Sequence, residues 1–208
     1  MTRPSHRHRI RDQIHARLLA GEIGPEDRLV DHALAETLGV SRMPVREALM
    51  QLVSEGYLAS TSRGFALPNL APAQIAEVFT LRKLLEPHAA ALAAQAMRPQ
   101  TLAALAEAHA ALAPEVAAFH RAAEAFRNLW LAEVPNAALR ETIQRYSAQI
   151  QTVRLATMRA PQAQATIAQG LGALLEAFTA RDGVSAADLM TRFIHQAEEA
   201  LNAQTRTP

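Results

Sequence analysis

Cysteine is absent from the 208 residues of this chain, so neither disulfides nor thiolate metal ligands are available to it. Aromatic residues supply only 4%. No stretch approaches the roughly 18 uninterrupted apolar residues that a membrane-spanning helix needs. Nothing at the N-terminus resembles a signal peptide. The expectation is therefore a cytoplasmic protein with no membrane partner. The parts of an enzyme are missing too, namely a cysteine nucleophile, a glycine-rich phosphate loop, a close Ser-His-Asp set and a pair of carboxylates. No catalytic residues are expected. A large basic excess is also lacking. The formal net charge is +1, and residues 1–70 hold nine arginines against eight acidic residues. Any binding of nucleic acid must therefore come from where the charges stand, not from their sum.

Hydrophobic residues make up half of the chain, enough to fill the core of one large or two small domains. Arg3, Arg7, Arg9 and Arg11 precede the first acid, Asp12, with His6 and His8 among them. Such a basic arm suits a phosphate backbone, and a terminus without a role is the equally open alternative. The segment from Leu29 to Leu67 is more informative. Leu34, Leu38, Val45, Leu49 and Leu52 can face one small core, and Gly39 permits a turn with positive φ between two short helices. Ser41 is placed to cap the second helix through its hydroxyl. Pro44 falls in the first turn, where a missing N–H costs little. Arg42 and Arg46, four apart, project from one side near the positive helix end, suited to phosphates and guanine edges. Gly56 then ends the helix. Two short apolar-polar runs, Tyr57 to Thr61 and Phe65 to Leu67, flank Ser62-Arg63-Gly64 and predict a hairpin with Arg63 at its tip.

Pro68-Asn69-Leu70-Ala71-Pro72 breaks the pattern, and the sequence beyond it is rich in alanine with spaced leucines. That composition predicts closely packed helices, at about 72–97, 100–112, 115–134, 137–159, 162–181 and 185–203. The fold class is thus mostly α. A winged helix-turn-helix of three helices and a small β-hairpin occupies residues 1–68, with a linker at 69–72. A six- or seven-helix antiparallel bundle over 73–208 follows, of the kind that encloses a ligand between its members.

The run Gly21 to Leu29, then Leu34-Ala35 with Val40-Ser41-Arg42-Met43-Pro44-Val45-Arg46-Glu47-Ala48-Leu49, then Glu55-Gly56 and Arg63-Gly64, resembles the DNA-binding domain of GntR-type transcriptional regulators. The resemblance implies operator contacts for Arg28, Ser41, Arg42, Arg46 and Gly64. Pro44 and Arg63 belong to the same expected surface. Met43 stands where many relatives have a small hydroxyl residue. The later pieces Phe79 to Glu86 with Leu92-Ala93-Ala94, Ala125-Phe126 with Pro135-Asn136, and Glu176-Ala177-Phe178 with Asp182, Ala186 and Met190 resemble the FCD effector-binding domain of the FadR branch. From these resemblances we expect a homodimer on a palindromic double-stranded operator, with a small-molecule effector in the bundle. A repressor is the usual case.

Most relatives in that branch hold a divalent metal with one aspartate and three histidines. The matching positions in this chain are Ala123, Arg127, Leu171 and Phe193, none of which can serve as such a ligand. His195 lies two residues beyond the last of them, about 200° around a helix, and His109 and His120 are off the pattern. No metal or other cofactor is expected. Arg127 instead puts a fixed positive charge at one ligand position, and Arg82 is a second candidate for holding an anionic effector such as an organic acid. Two alternatives stand beside this. Arg127 could pair with a glutamate such as Glu124 or Glu176, and the bundle could dimerise a constitutive DNA-binding protein whose pocket is vestigial.

Overall fold

The computed structural model describes residues 6–19, 22–24, 26–69, 71–149, 158 and 161–205. The chain divides into two compact units, Met1–Leu70 and Ala71–Pro208.

In the first unit, α1 (His6–Leu19) is followed by α2 (Asp31–Leu38), α3 (Arg42–Ser54) and a hairpin of β1 (Ala59–Thr61) and β2 (Gly64–Ala66). The expected basic arm is largely this first helix. Ile10, Ile14 and Leu18 recur every four residues and bury one stripe of it, and that burial holds the segment helical. Arg3 lies outside the described residues. Arg11 is tied down, its Nε donating to Glu55 at the end of α3 at 3.1 Å. Gly39 ends α2 with φ 64 and ψ 34, the left-handed turn that its lack of a Cβ permits. Val45, Ala48, Leu49 and Leu52 of α3 are fully buried, while Leu34 and Leu38 pack against the same core from its edge.

The hairpin registers Ala59 with Ala66, Ser60 with Phe65 and Thr61 with Gly64. It is anchored by two backbone hydrogen bonds between Phe65 and Leu29, at 2.7 and 2.8 Å. Gly64 adopts φ +116, and a Cβ placed there would sit 2.5 Å from the Leu29 carbonyl oxygen. Glycine at this position therefore has a structural reason of its own.

Six described helices form the second unit: α4 (Pro72–Ala96), α5 (Pro99–Ala110), α6 (Val116–Ala132), α7 (Ala137–Gln149), α8 (Pro161–Thr179) and α9 (Gly183–Thr205). The last part of the helix expected to reach residue 159 falls mostly outside the described residues. Pro72, assigned by sequence to the linker, begins α4, with the Ala71 N–H donating to Gln74 Oε1 at 2.9 Å. Pro87 lies inside this helix. Ala89, Ala90, Ala93 and Ala94 are fully buried. Such small side chains let helix backbones approach closely, and at Gly183 an added Cβ would stand 3.0 Å from the Ala91 carbonyl. Trp130, Phe126 and Phe178 supply the large buried side chains of this core.

Gly64→Ala is expected to destabilise the winged unit by about 1–3 kcal/mol, the usual cost of a strained backbone position. Thermal unfolding of the purified chain measures it, and an unchanged midpoint would contradict this role for the glycine.

Candidate nucleic-acid interface and a buried arginine cluster

The outward side of α3 begins at Ser41, which has the extended backbone of an N-cap (φ −70, ψ 158) but makes no capping hydrogen bond. The expected cap is not made. A capping hydroxyl accepts from the N–H of the second or third helical residue; the third is Pro44, which has none, and Ser41 does not bond to the one that remains, on Met43. Ser41 stays exposed at the helix end, where exposed N–H groups and the helix dipole suit a phosphate oxygen.

Arg42 and Arg46 lie on the open exterior, both with side chains 61% accessible. They share one acceptor. Arg42 Nη2 donates to Asp31 Oδ1 at 3.1 Å and Oδ2 at 3.3 Å, and Arg46 Nη1 to Oδ2 at 3.4 Å. Asp31, the first residue of α2, is buried. Burial alone would raise its pKa, but the hydrogen bond from Arg42 and the Arg42 charge hold the carboxyl below its ordinary range. A guanidinium carries five N–H donors, so each arginine is oriented from beneath while the rest of its fork stays available. Sequence reading missed Asp31. The signal was present only in the turn geometry, which brings the start of α2 against the start of α3.

Met43 is 66% exposed and Pro44 is half-buried in the first turn of α3. Arg63 sits exposed at the hairpin turn, its N–H donating to Thr61 Oγ1 at 3.2 Å. Arg28 is exposed and donates to the Asp27 carbonyl at 2.9 Å. Gly64 is partly buried against Leu29.

In the bundle, the four positions expected to replace metal ligands come together. Ala123, Arg127, Leu171 and Phe193 line one cavity with Trp130, Ile167, Leu174 and Met190. Its volume is about 20 Å³, room for about one water molecule. The donor set does not fit a divalent cation. Three of the four positions are hydrocarbon, and the fourth is a permanent cation. Phe193 fills space that Gly170 leaves for it, since a Cβ on Gly170 would lie 2.7 Å from the Phe193 ring. His195 is exposed on α9, His120 is buried on α6, and His109 lies 3.0 Å through Nε2 from the Ala168 carbonyl. None of the three lines the cavity.

Arg127 and Arg82 are brought together, but around a carboxylate that sequence reading had not paired with Arg127. Arg127 donates twice to Glu86, Nη1 to Oε2 at 2.9 Å and Nη2 to Oε1 at 3.0 Å. Arg82 Nε donates to Glu86 Oε1 at 2.8 Å. All three residues are buried, Glu86 to 1% exposure. The guanidinium carbons lie 5.2 Å from the Phe79 ring centre for Arg82 and 5.9 Å from the Trp130 ring for Arg127. Burial pushes the Glu86 pKa up, yet Arg127 and then Arg82 outweigh it and hold the carboxyl far below the usual carboxylate range. Glu86 stands one turn from Arg82 in the sequence, but its meeting with Arg127 needs α4 and α6 to be packed together. Glu176, weighed by sequence as a partner, is exposed on α8.

A helix-turn-helix with a hairpin wing, in one chain with a separate helical bundle, defines a DNA-binding regulator of winged-helix type. Residues 77–196, more than half of the chain, match the FCD domain, and residues 6–65 match the bacterial regulatory proteins of the gntR family. The chain belongs to the FCD-containing, FadR-type branch of that family, whose members are transcriptional regulators and not enzymes. It is similar to the HTH-type transcriptional regulator McbR of Escherichia coli (strain K12), with 38% identity over 99 residues, 47% of this chain and 45% of that protein. It also matches the gluconate operon transcriptional repressor of Bacillus subtilis (strain 168), 35% identical over 78 residues, 38% of this chain and 32% of that one. The matched stretches thus span less than half of these curated relatives. The solved structure of E. coli McbR/YncC superimposes with a TM-score of 0.83 at 27% identity, covering 98% of this chain and 100% of that one. Among the described residues no helix is long and apolar enough to cross a membrane.

The sign of the Glu86 contribution to stability follows from its depressed pKa. Pairing stabilises the folded bundle in full above the ordinary value of 4.5 and is lost as the pH falls below it. Glu86→Gln is expected to cost about 3–5 kcal/mol at neutral pH, because it removes the negative charge between two buried cations. It should also flatten the acid limb of stability against pH. Denaturant titrations at several pH values measure both, and parallel pH profiles for the two proteins would contradict the assignment.

Proposed function

We propose that this regulator binds a palindromic operator as a homodimer and represses the genes beside it. The observation that carries the reading is the pair Arg42 and Arg46, exposed at the start of α3 and both steadied by Asp31. One winged unit covers one half-site, and two-fold symmetry in protein and DNA doubles the contact. Arg42 and Arg46 enter the major groove and read base edges. Met43 and Pro44 lie beside them, Ser41 and Arg28 touch phosphates, and the turn at Arg63-Gly64 lies along the flanking backbone or minor groove. Repression is favoured by the match to the gluconate operon repressor, and a cytoplasmic location is what such a role requires.

The effector of this reading is a small organic anion in a metal-free bundle. It engages Arg127 and Arg82 by displacing the Glu86 carboxylate, which already occupies both. Binding would then shift operator affinity by a coupling free energy of about 1–3 kcal/mol. A second reading is supported by the cavity of about 20 Å³ and by the hydrogen bonds that both arginines already make to Glu86. In that reading the bundle only dimerises, and DNA binding is constitutive.

Two measurements test this. Arg46→Ala is expected to weaken binding to a duplex enriched from a randomised pool by about 1–3 kcal/mol in gel-shift titrations; unchanged binding would refute the α3 assignment. Calorimetric titration of organic acids into the wild type and Arg127→Ala separates the two effector readings, since the anion clamp requires binding that the variant loses. Elemental analysis of the same preparation should find no stoichiometric zinc, nickel or manganese.

A further inference from the structure

The line of α3 that protrudes furthest from its core carries no arginine. Val45, Ala48, Leu49 and Leu52 are the buried side. Counted at about 100° per residue, Met43, Glu47 and Met50 fall within about 30° of the opposite line, whereas Arg46 lies about 70° and Arg42 about 110° to one side. Met43 is 66% exposed and Met50 46%, so two flexible apolar side chains stand in water on the foremost edge of the helix. The arginines flank that edge on the side of α2, where Asp31 holds them.

Resting on the DNA-reading assignment above, we infer that Met43 is a specificity-determining residue that packs against the 5-methyl group of a thymine in each operator half-site. Three observations meet at this side chain. It is the second residue of α3, at the positive end of the helix dipole, the end that enters a major groove first. Arg42 and Arg46 lie beside it and supply the phosphate and guanine contacts that fix the helix in the groove. The side chain itself has no donor and only a weak acceptor, so it cannot read a polar base edge. The one apolar feature of the major groove is the thymine methyl. An unbranched thioether adapts its three rotatable bonds to that small target, and burying both surfaces offsets the cost of exposing them in the free protein. Met50 stands two turns further along the same edge, one turn beyond Arg46 and away from Arg42 and the positive end of the helix.

The test uses the full chain and the duplex that the wild type enriches from a randomised DNA pool. Each thymine of the half-sites is replaced singly by deoxyuridine, which lacks only the methyl group. The wild type is expected to bind one uracil-substituted duplex about fourfold more weakly per half-site, the worth of one buried methyl group. Met43→Leu and Met50→Ser should keep that difference. Met43→Ser should abolish it while unfolding at the wild-type temperature. Tolerance of every uracil by the wild type, an enriched half-site without thymine, or an equal methyl effect in Met43→Ser would overturn the assignment. So would loss of the effect in Met50→Ser alone. If the wild type enriches no sequence at all, the DNA-reading assignment itself falls, a result distinct from each of these.

Discussion

One carboxylate shared by two guanidinium groups is the interaction on which both units of this chain depend, and its depth decides what it does. At Asp31 the pair Arg42 and Arg46 is exposed, and the carboxylate takes only part of each fork. Water and salt screen the attraction, so the contact contributes orientation more than stability. The guanidinium groups remain free to exchange solvent for DNA. At Glu86 the same arrangement is sealed from water, both carboxylate oxygens are used, and one arginine is bound bidentately. There the attraction is strong, the desolvation cost is large, and any incoming anion must compete with a tethered rival.

That competition shapes the bundle. A metal in such a cavity supplies positive charge together with open coordination positions for a ligand. Arg127 supplies the charge but closes the coordination, because its donors are directed at Glu86. Leu171, Phe193 and Trp130 then occupy the remaining space. The side chains at the four positions are mutually consistent. Leu171 and Phe193 close the wall of the cavity, and Arg127 without Glu86 would lose the carboxylate that balances its buried charge. Gly170 belongs to the same set, since its missing Cβ is what admits the Phe193 ring.

Much of this was legible in the sequence, and the failures share a cause. The two short helices, the left-handed Gly39, the glycine stop at Gly56, the hairpin and the helical bundle all follow from local chemistry and hydrophobic period, which neighbouring residues determine. A third helix was expected in the winged unit but had no bounds; the four-residue spacing of Ile10, Ile14 and Leu18 is the signal that places it at His6–Leu19. The cap expected of Ser41 from its residue type is not made; Pro44 removes one of the two N–H groups it could meet, and the hydroxyl does not bond to the other. The pairing of Asp31 with Arg42 and Arg46, and of Glu86 with Arg127, was hidden for a deeper reason, whereas Glu86 one turn from Arg82 was legible. Each carboxylate acts on an arginine contributed by another helix, 15 residues away for Arg46 and 41 for Arg127, and only tertiary packing closes those distances.

The position of Met43 shows how the two levels combine. Its place in the motif follows from the sequence, but its exposure and its angle to the arginines follow from how α3 is seated on the core formed by Val45, Ala48, Leu49 and Leu52. Charge steers such a helix to DNA and holds it at the phosphates without regard to sequence. Discrimination has to come from the side chains that reach furthest into the groove. In this chain the arginines stand to one side, tethered by Asp31, and the foremost position belongs to a side chain that can exclude water but cannot donate a hydrogen bond. A reader built this way gains affinity from its phosphate contacts and divides selectivity between the guanines met by the arginines and the methyl group met by Met43, so its preferred site should be set by where the two stand relative to each other.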